Sequence, residues 1–120
     1  MEMINCTPHA IVIHTGHTVV TLPPSGHVAR LVGPPPPIPI TVELEGHAVR
    51  LSAPPSFDGV EGLPNDDGGN AIIVSAMVGA QAPTLLGNNW KGRVFGPDTG
   101  SDAIREKGQI VGVKGLILYW

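Results

Sequence analysis

Short runs of apolar residues recur along the chain, separated by Gly, Pro or polar turns, and are better sized for strands than for helices. Ile4 to Cys6 and Ala10 to His14 flank Thr7-Pro8-His9, a turn in which proline fixes φ and removes a sheet donor. Gly16 parts Ile11–His14 from Val19–Leu22, which predicts a hairpin. Pro23-Pro24-Ser25-Gly26 turns the chain again, ahead of a strand over Val28 to Val32 in which Arg30 alternates with Ala29 and Leu31. The five prolines between Pro34 and Pro39 demand extended, polyproline-like backbone and read as a rigid loop. Thr41 to Glu45 and Ala48 to Ser52 surround Glu45-Gly46-His47, a second hairpin.

Further along, the acidic, glycine-rich stretch Asp58 to Gly69 reads as an exposed loop. Ala71 to Val74 is the most apolar run and predicts a central strand buried on both faces. Ser75 can cap a short helix over Ala76 to Ala82, with Pro83 ending it because the residue before proline avoids helical angles. Asn88-Asn89-Trp90 forms a loop before a strand at Arg93 to Phe95. Thr99 and Asp102 fit a capping box, so a second helix of about two turns is expected from Gly100, closed by Gly108. Gln109 to Tyr119 supplies a last strand, bulged at Gly112 or Gly115. The expected fold class is α+β: a mainly antiparallel β-sheet with two short helices, in a single compact domain over residues 1–120.

Composition strengthens this reading, since Gly and Pro make up 29 of the 120 residues and favour tight turns. The net charge of −3 argues against a binder of long nucleic acid, which shows a strongly basic face. That total is uneven. Residues 1–90 carry two basic side chains against seven acidic ones, whereas 91–120 carry five against three, so a local basic site suits a small anionic ligand. The single cysteine, Cys6, cannot form an internal disulfide, and no signal peptide or apolar run of membrane-spanning length is present, so an intracellular protein is expected.

Few motifs carry chemistry. His14 and His17 form a close pair that straddles a turn, with no second pair at zinc-like spacing. P-loop, GxGxxG and GxSxG patterns do not occur. Glu43/Glu45 and Asp66-Asp67 read as solvated carboxylates. What remains is Lys91 to Gly108, where the expected helix start, with Arg93, Arg105 and Lys107 nearby, offers an anion site. A capped surface helix is the competing reading. Trp90 and Phe95 bracket Lys91 and Arg93, so an aromatic face and a guanidinium can grip one nucleotide, with Asn89 beside them. A core role for Phe95 stands against that.

The order of landmarks resembles a known family. Asn5-Cys6-Thr7-Pro8-His9, Leu22-Pro23-Pro24-Ser25-Gly26-His27-Val28-Ala29-Arg30, Val60-Glu61-Gly62-Leu63-Pro64, Ile73-Val74-Ser75-Ala76-Met77-Val78 and Pro97-Asp98-Thr99-Gly100 through Ala103-Ile104-Arg105 follow one another as in small phage and prophage proteins. The chain resembles the type-one Thoeris anti-defence sponges, which sequester cyclic ADP-ribose isomers. The resemblance implies a non-enzymatic, cofactor-free protein of the infected cell's cytoplasm that binds a cyclic nucleotide and releases it intact. Hexamers are implied, as are cyclic oligonucleotide sites in some members. Carried onto this chain, Arg105 in the Pro-Asp-Thr-Gly motif and Arg30 in the Pro-Pro-Ser-Gly motif become the phosphate partners, and Asp98, Thr99 and Gly100 line the same site. Pro34 to Pro39, Cys6 and the Asn88 to Lys91 loop depart from the family pattern. Two alternatives stand beside it: a small hydrolase of the same signals, and a structural module of a phage particle.

Overall fold

A computed structural model describes residues 3–65, 70–86 and 90–120. In chain order the elements are β1 (Met3–Asn5), β2 (Ile11–His14), β3 (Val19–Leu22), β4 (Arg30–Val32), β5 (Ile40–Leu44), β6 (His47–Leu51), β7 (Gly59–Glu61), β8 (Ala71–Ile73), α1 (Ala76–Leu85), β9 (Val94–Pro97), β10 (Ile104–Glu106), β11 (Gln109–Gly112) and β12 (Leu116–Leu118). The fold is α+β and mainly antiparallel, with one α-helix among the described residues.

The centre is a four-stranded sheet in the order β1-β8-β9-β12. In it β1, β8 and β9 run parallel, and β12 is antiparallel to β9. Adjacent parallel strands need a crossover, which α1 supplies between β8 and β9. Strand β8 is central and wholly buried, as its unbroken apolar run predicts. Side chains alternate across the sheet. Ile72, Val74 and Val94 face a cluster with Cys6, Val78, Ala82, Leu86 and Trp90, against which Leu31 and Val60 of the β4–β7 ribbon also pack. Ile73 and Phe95 face the other way, joining Ile11, Ile13, Leu22 and Val113 of the ribbons β2–β3 and β10–β11 and the segment that follows. Removing an Ile or Val such as Ile72 or Val94 from water contributes roughly 1.5–3 kcal/mol.

A buried polar knot ties the N-terminal turns to the sheet edge. The Asn5 amide donates to the carbonyls of His9 and Leu22 (2.9 and 3.0 Å), while its oxygen accepts from the Thr7 backbone and hydroxyl (3.0 and 2.7 Å). Ser25 Oγ donates to the Asn5 carbonyl at 2.7 Å. A buried Asn satisfied at both ends fixes the path of three turns at once. Gly62, at φ 82°, lets the chain pass so close to the Val28 carbonyl that a Cβ there would clash.

Four expectations are corrected. The segment Gly100 to Lys107 is not a helix. Its N-terminal half turns through a bond from the Ala103 amide to the Gly100 carbonyl, and its C-terminal half is strand β10. Lys107 and Gly108 then take φ of 52° and 80°, the left-handed pair of a two-residue hairpin turn, and β11 returns along β10. Asp98, rather than Thr99 or Asp102, binds a backbone donor, accepting from Gly100 N at 3.2 Å. Second, α1 continues through Pro83 to Leu85, because burial of Ala82 holds the preceding residue helical and the Leu86 amide resumes the ladder to the Ala82 carbonyl at 2.9 Å. Third, the expected loop Asp58 to Gly69 contains β7, paired with β4, and residues 66–69 lie outside the described part. Fourth, the final strand divides: β11 pairs with β10, and β12 joins the central sheet.

Candidate functional site

The Pro-Asp-Thr-Gly corner leaves the end of β9. Asp98 N donates to the Gly115 carbonyl at 3.0 Å, which pins the corner to the segment before β12. The Asp98 carboxylate, closing on Gly100 N, shapes the exposed turn 98–100. Arg105 reaches back across this turn, its guanidinium donating to the Thr99 carbonyl at a long 3.5 Å. So Asp98, Thr99, Gly100 and Arg105 do come together, through a turn and hairpin rather than the expected helix.

Beside them lies a cleft of about 180 Å³, whose walls include His9, Ile11, Pro97, Thr99, Ile110 and Val113. Arg105 stands directly opposite Ile110 in the hairpin register, so the cation and a wall of the cleft share one ribbon face. An apolar recess flanked by an exposed guanidinium suits a ligand with a flat apolar part and a negative part.

Arg30 is elsewhere. It is exposed on β4 and lines a groove of about 400 Å³ with Gly26, His27, Val28, Glu61 and Gly62. Its cross-strand neighbour is Glu61, so a carboxylate lines the same groove. Arg93 is exposed immediately before β9, and its carbonyl accepts from Ile72 N at 2.9 Å. Among the described residues, neither the Arg30 nor the Arg93 guanidinium has an ion pair or side-chain hydrogen bond.

The two aromatic candidates are not brought together. Trp90 is 5% exposed and packs in the cluster on the helix side, so both ring faces serve the core; its Nε1 has no hydrogen-bond partner among the described residues. Phe95 is half-buried on the opposite face, against Ile73 and its neighbours. The reason is strand alternation: residues on β8 and β9 go to opposite layers by parity, and loop residue 90 is drawn in beneath α1. Asn89 lies outside the described residues. Sequence reasoning missed His9 and Ile110 as cleft walls and His27 and Glu61 as neighbours of Arg30. His27 and Glu61 sit inside two of the ordered motifs, which is the signal that was present.

Cys6 is buried, and burial pushes its thiol up from 9.0 to about 11. It is therefore a core residue in its protonated form and a poor nucleophile. No helix of the described chain is long and apolar enough to cross a membrane. No family model, no curated protein and no solved structure matches the chain.

Proposed function

We propose that the protein is a phage-derived sponge that sequesters cyclic nucleotide immune signals in the cytoplasm of the infected cell without cleaving them. The observation that carries this reading is the juxtaposition of Arg105 and the exposed 98–100 turn with the apolar cleft walled by Ile11, Pro97 and Ile110. In it, phosphate oxygens meet the guanidinium, and the base enters the recess. The ordered motifs that resemble the type-one Thoeris anti-defence sponges support the same class of ligand, cyclic ADP-ribose isomers.

The cleft volume adds a constraint. About 180 Å³ is below the roughly 300 Å³ at which ligand pockets begin. Enclosure of a whole cyclic nucleotide therefore calls for a second subunit, in keeping with the hexamer that the resemblance implies. Sequestration also demands tight binding, and a nanomolar Kd corresponds to about −12 kcal/mol.

Calorimetry against a panel of cyclic ADP-ribose isomers and cyclic di- and trinucleotides tests the reading. Nanomolar binding of one of them, with intact ligand recovered after heat denaturation, is the expected result; recovery of a cleaved product makes the protein a hydrolase instead. Arg105→Ala should weaken that binding more than about tenfold, or 1.4 kcal/mol, and unchanged affinity in a folded variant removes Arg105 from the site. A second reading, a structural module of a phage particle, is favoured by the apolar side chains that β5 and β6 leave exposed. It takes over if none of the panel shifts the melting temperature.

A further inference from the structure

The ribbon β5–β6 is amphipathic, and no part of the described chain covers it. Its register places Ile40 opposite Leu51, Val42 opposite Val49 and Leu44 opposite His47. Directly opposed residues share a face. One face therefore carries five apolar residues, Ile40, Val42, Leu44, Val49 and Leu51, with His47 beside Leu44 at the turn end, and the other is Thr41, Glu43, Ala48 and Arg50. Ile40, Leu44 and Leu51 are 63%, 55% and 44% exposed, and none of the five joins either core cluster. A two-stranded ribbon by itself is marginal in water, so an apolar face of this kind signals a contact made elsewhere.

The flanking sequence holds the ribbon away from its own body. Pro34, Pro35, Pro36, Pro37 and Pro39 enter it, and Pro54 and Pro55 leave it. Consecutive prolines form stiff, extended segments that do not fold back on themselves. The chain's Cα radius of gyration is 17.9 Å, against about 13.5 Å for a compact chain of this length, and its extents are 58 × 39 × 21 Å. A projecting arm on two rigid stalks fits that shape. Being stiff, it also loses little entropy on docking.

We propose that the β5–β6 arm docks, through its Ile40/Val42/Leu44/Val49/Leu51 face, on the body of a second copy of this chain, which returns its own arm reciprocally. The second copy is favoured because the body carries an uncovered edge of its own. Strand β12 is an open edge of the central sheet, and its Leu118 is 55% exposed. An unrelated partner on the arm leaves that body surface bare, whereas exchange covers both. Area agrees: five aliphatic side chains at roughly 80 Å² each remove about 400 Å² from the arm and a similar amount from the surface beneath it. One docked arm then buries about 800 Å², the size of a crystal contact, but two exchanged arms bury about 1,600 Å², that of a specific interface. Exchange about a two-fold axis also closes, where one-way docking propagates into fibres. This inference rests on the ribbon and the β12 edge and stands if the nucleotide reading falls.

Sedimentation equilibrium of the full chain without nucleotide decides it. The wild-type protein should be dimeric or a multiple of dimers at tens of micromolar, and Leu44→Glu with Leu51→Glu should raise the dissociation constant at least about 100-fold, while Thr41→Glu on the opposite face changes it less than about threefold. A wild-type monomer at those concentrations overturns the proposal, as does assembly indifferent to the double substitution. Should the double variant fail to fold, hydrogen exchange on the wild type gives the answer. Amides of residues 40–51 should be protected when concentrated and lose protection on dilution; equal exchange at every concentration overturns the inference.

Discussion

Two ribbons of this protein share one turn and have different fates. In β5–β6 the turn is Glu45-Gly46, with φ of 51° and 80°; in β10–β11 it is Lys107-Gly108, with 52° and 80°. The local instruction is the same, a polar residue that tolerates left-handed angles followed by glycine. Yet β11 packs along β2, and just beyond it Val113, 3% exposed, exchanges backbone bonds with Val12 and His14 of that strand, at 2.9 and 2.8 Å. The β5–β6 ribbon has no such anchor. Two residues of turn chemistry thus make a ribbon, and a hydrophobic residue placed a few positions further on decides whether the ribbon is anchored to the body.

The sharpest way to break this comparison is to put a charge into each ribbon's apolar side. Val113→Asp buries a carboxylate at the anchor and should destabilise the monomer by about 4 kcal/mol, whereas Val49→Asp should cost the monomer under about 0.5 kcal/mol when measured by urea unfolding at high dilution. Similar losses at both sites would mean that the arm is folded onto the body after all.

Alkaline pH sharpens the contrast by loosening only the body. The Cys6 thiol is raised from 9.0 to about 11 by burial, so between those values the unfolded chain releases a proton that the folded chain retains. Stability from this group is intact below pH 9 and declines as pH rises through 11, by roughly 2 kcal/mol relative to a Cys6→Ala variant. Exchange of the arm amides in the monomer should not follow that decline.

The smallest effect tests the shared turn itself. Gly46→Ala and Gly108→Ala each force a Cβ into left-handed backbone and should cost about 1 kcal/mol of local hairpin stability. For Gly108→Ala the loss should reach the global unfolding transition, through β11 and Val113. For Gly46→Ala it should stay within residues 40–51, read by their amide exchange in the monomer.

Much of this fold was legible in the chain. The unbroken apolar run at Ala71–Val74 announced the buried central strand, Ser75 its helix, and Glu45-Gly46 the arm, since each is set by neighbours in sequence. Lys107-Gly108 carried the same hairpin signal as Glu45-Gly46, but the Thr99/Asp102 spacing, which also fits a capping box, masked it. Of the candidate site, the nearness of Arg105 to Asp98–Gly100 follows from their closeness in sequence, but the turn and hairpin that join them were expected as a helix. The pairing of Trp90 with Phe95 failed because parity on β9 and the pull of the core beneath α1 send the two rings to opposite layers.

By itself, then, the sequence determined the β2–β3 and β5–β6 hairpins, the buried strand β8 and the helix start, all of which depend on dihedral preference and alternation within a few residues. Only the tertiary structure decided that three of the central strands run parallel, that the ordered motif residues Asn5, Thr7 and Ser25 are spent on a buried polar knot, and which ribbon is left uncovered. These depend on contacts between residues far apart in the chain, where burial overrules local preference and no short-range pattern records the partner.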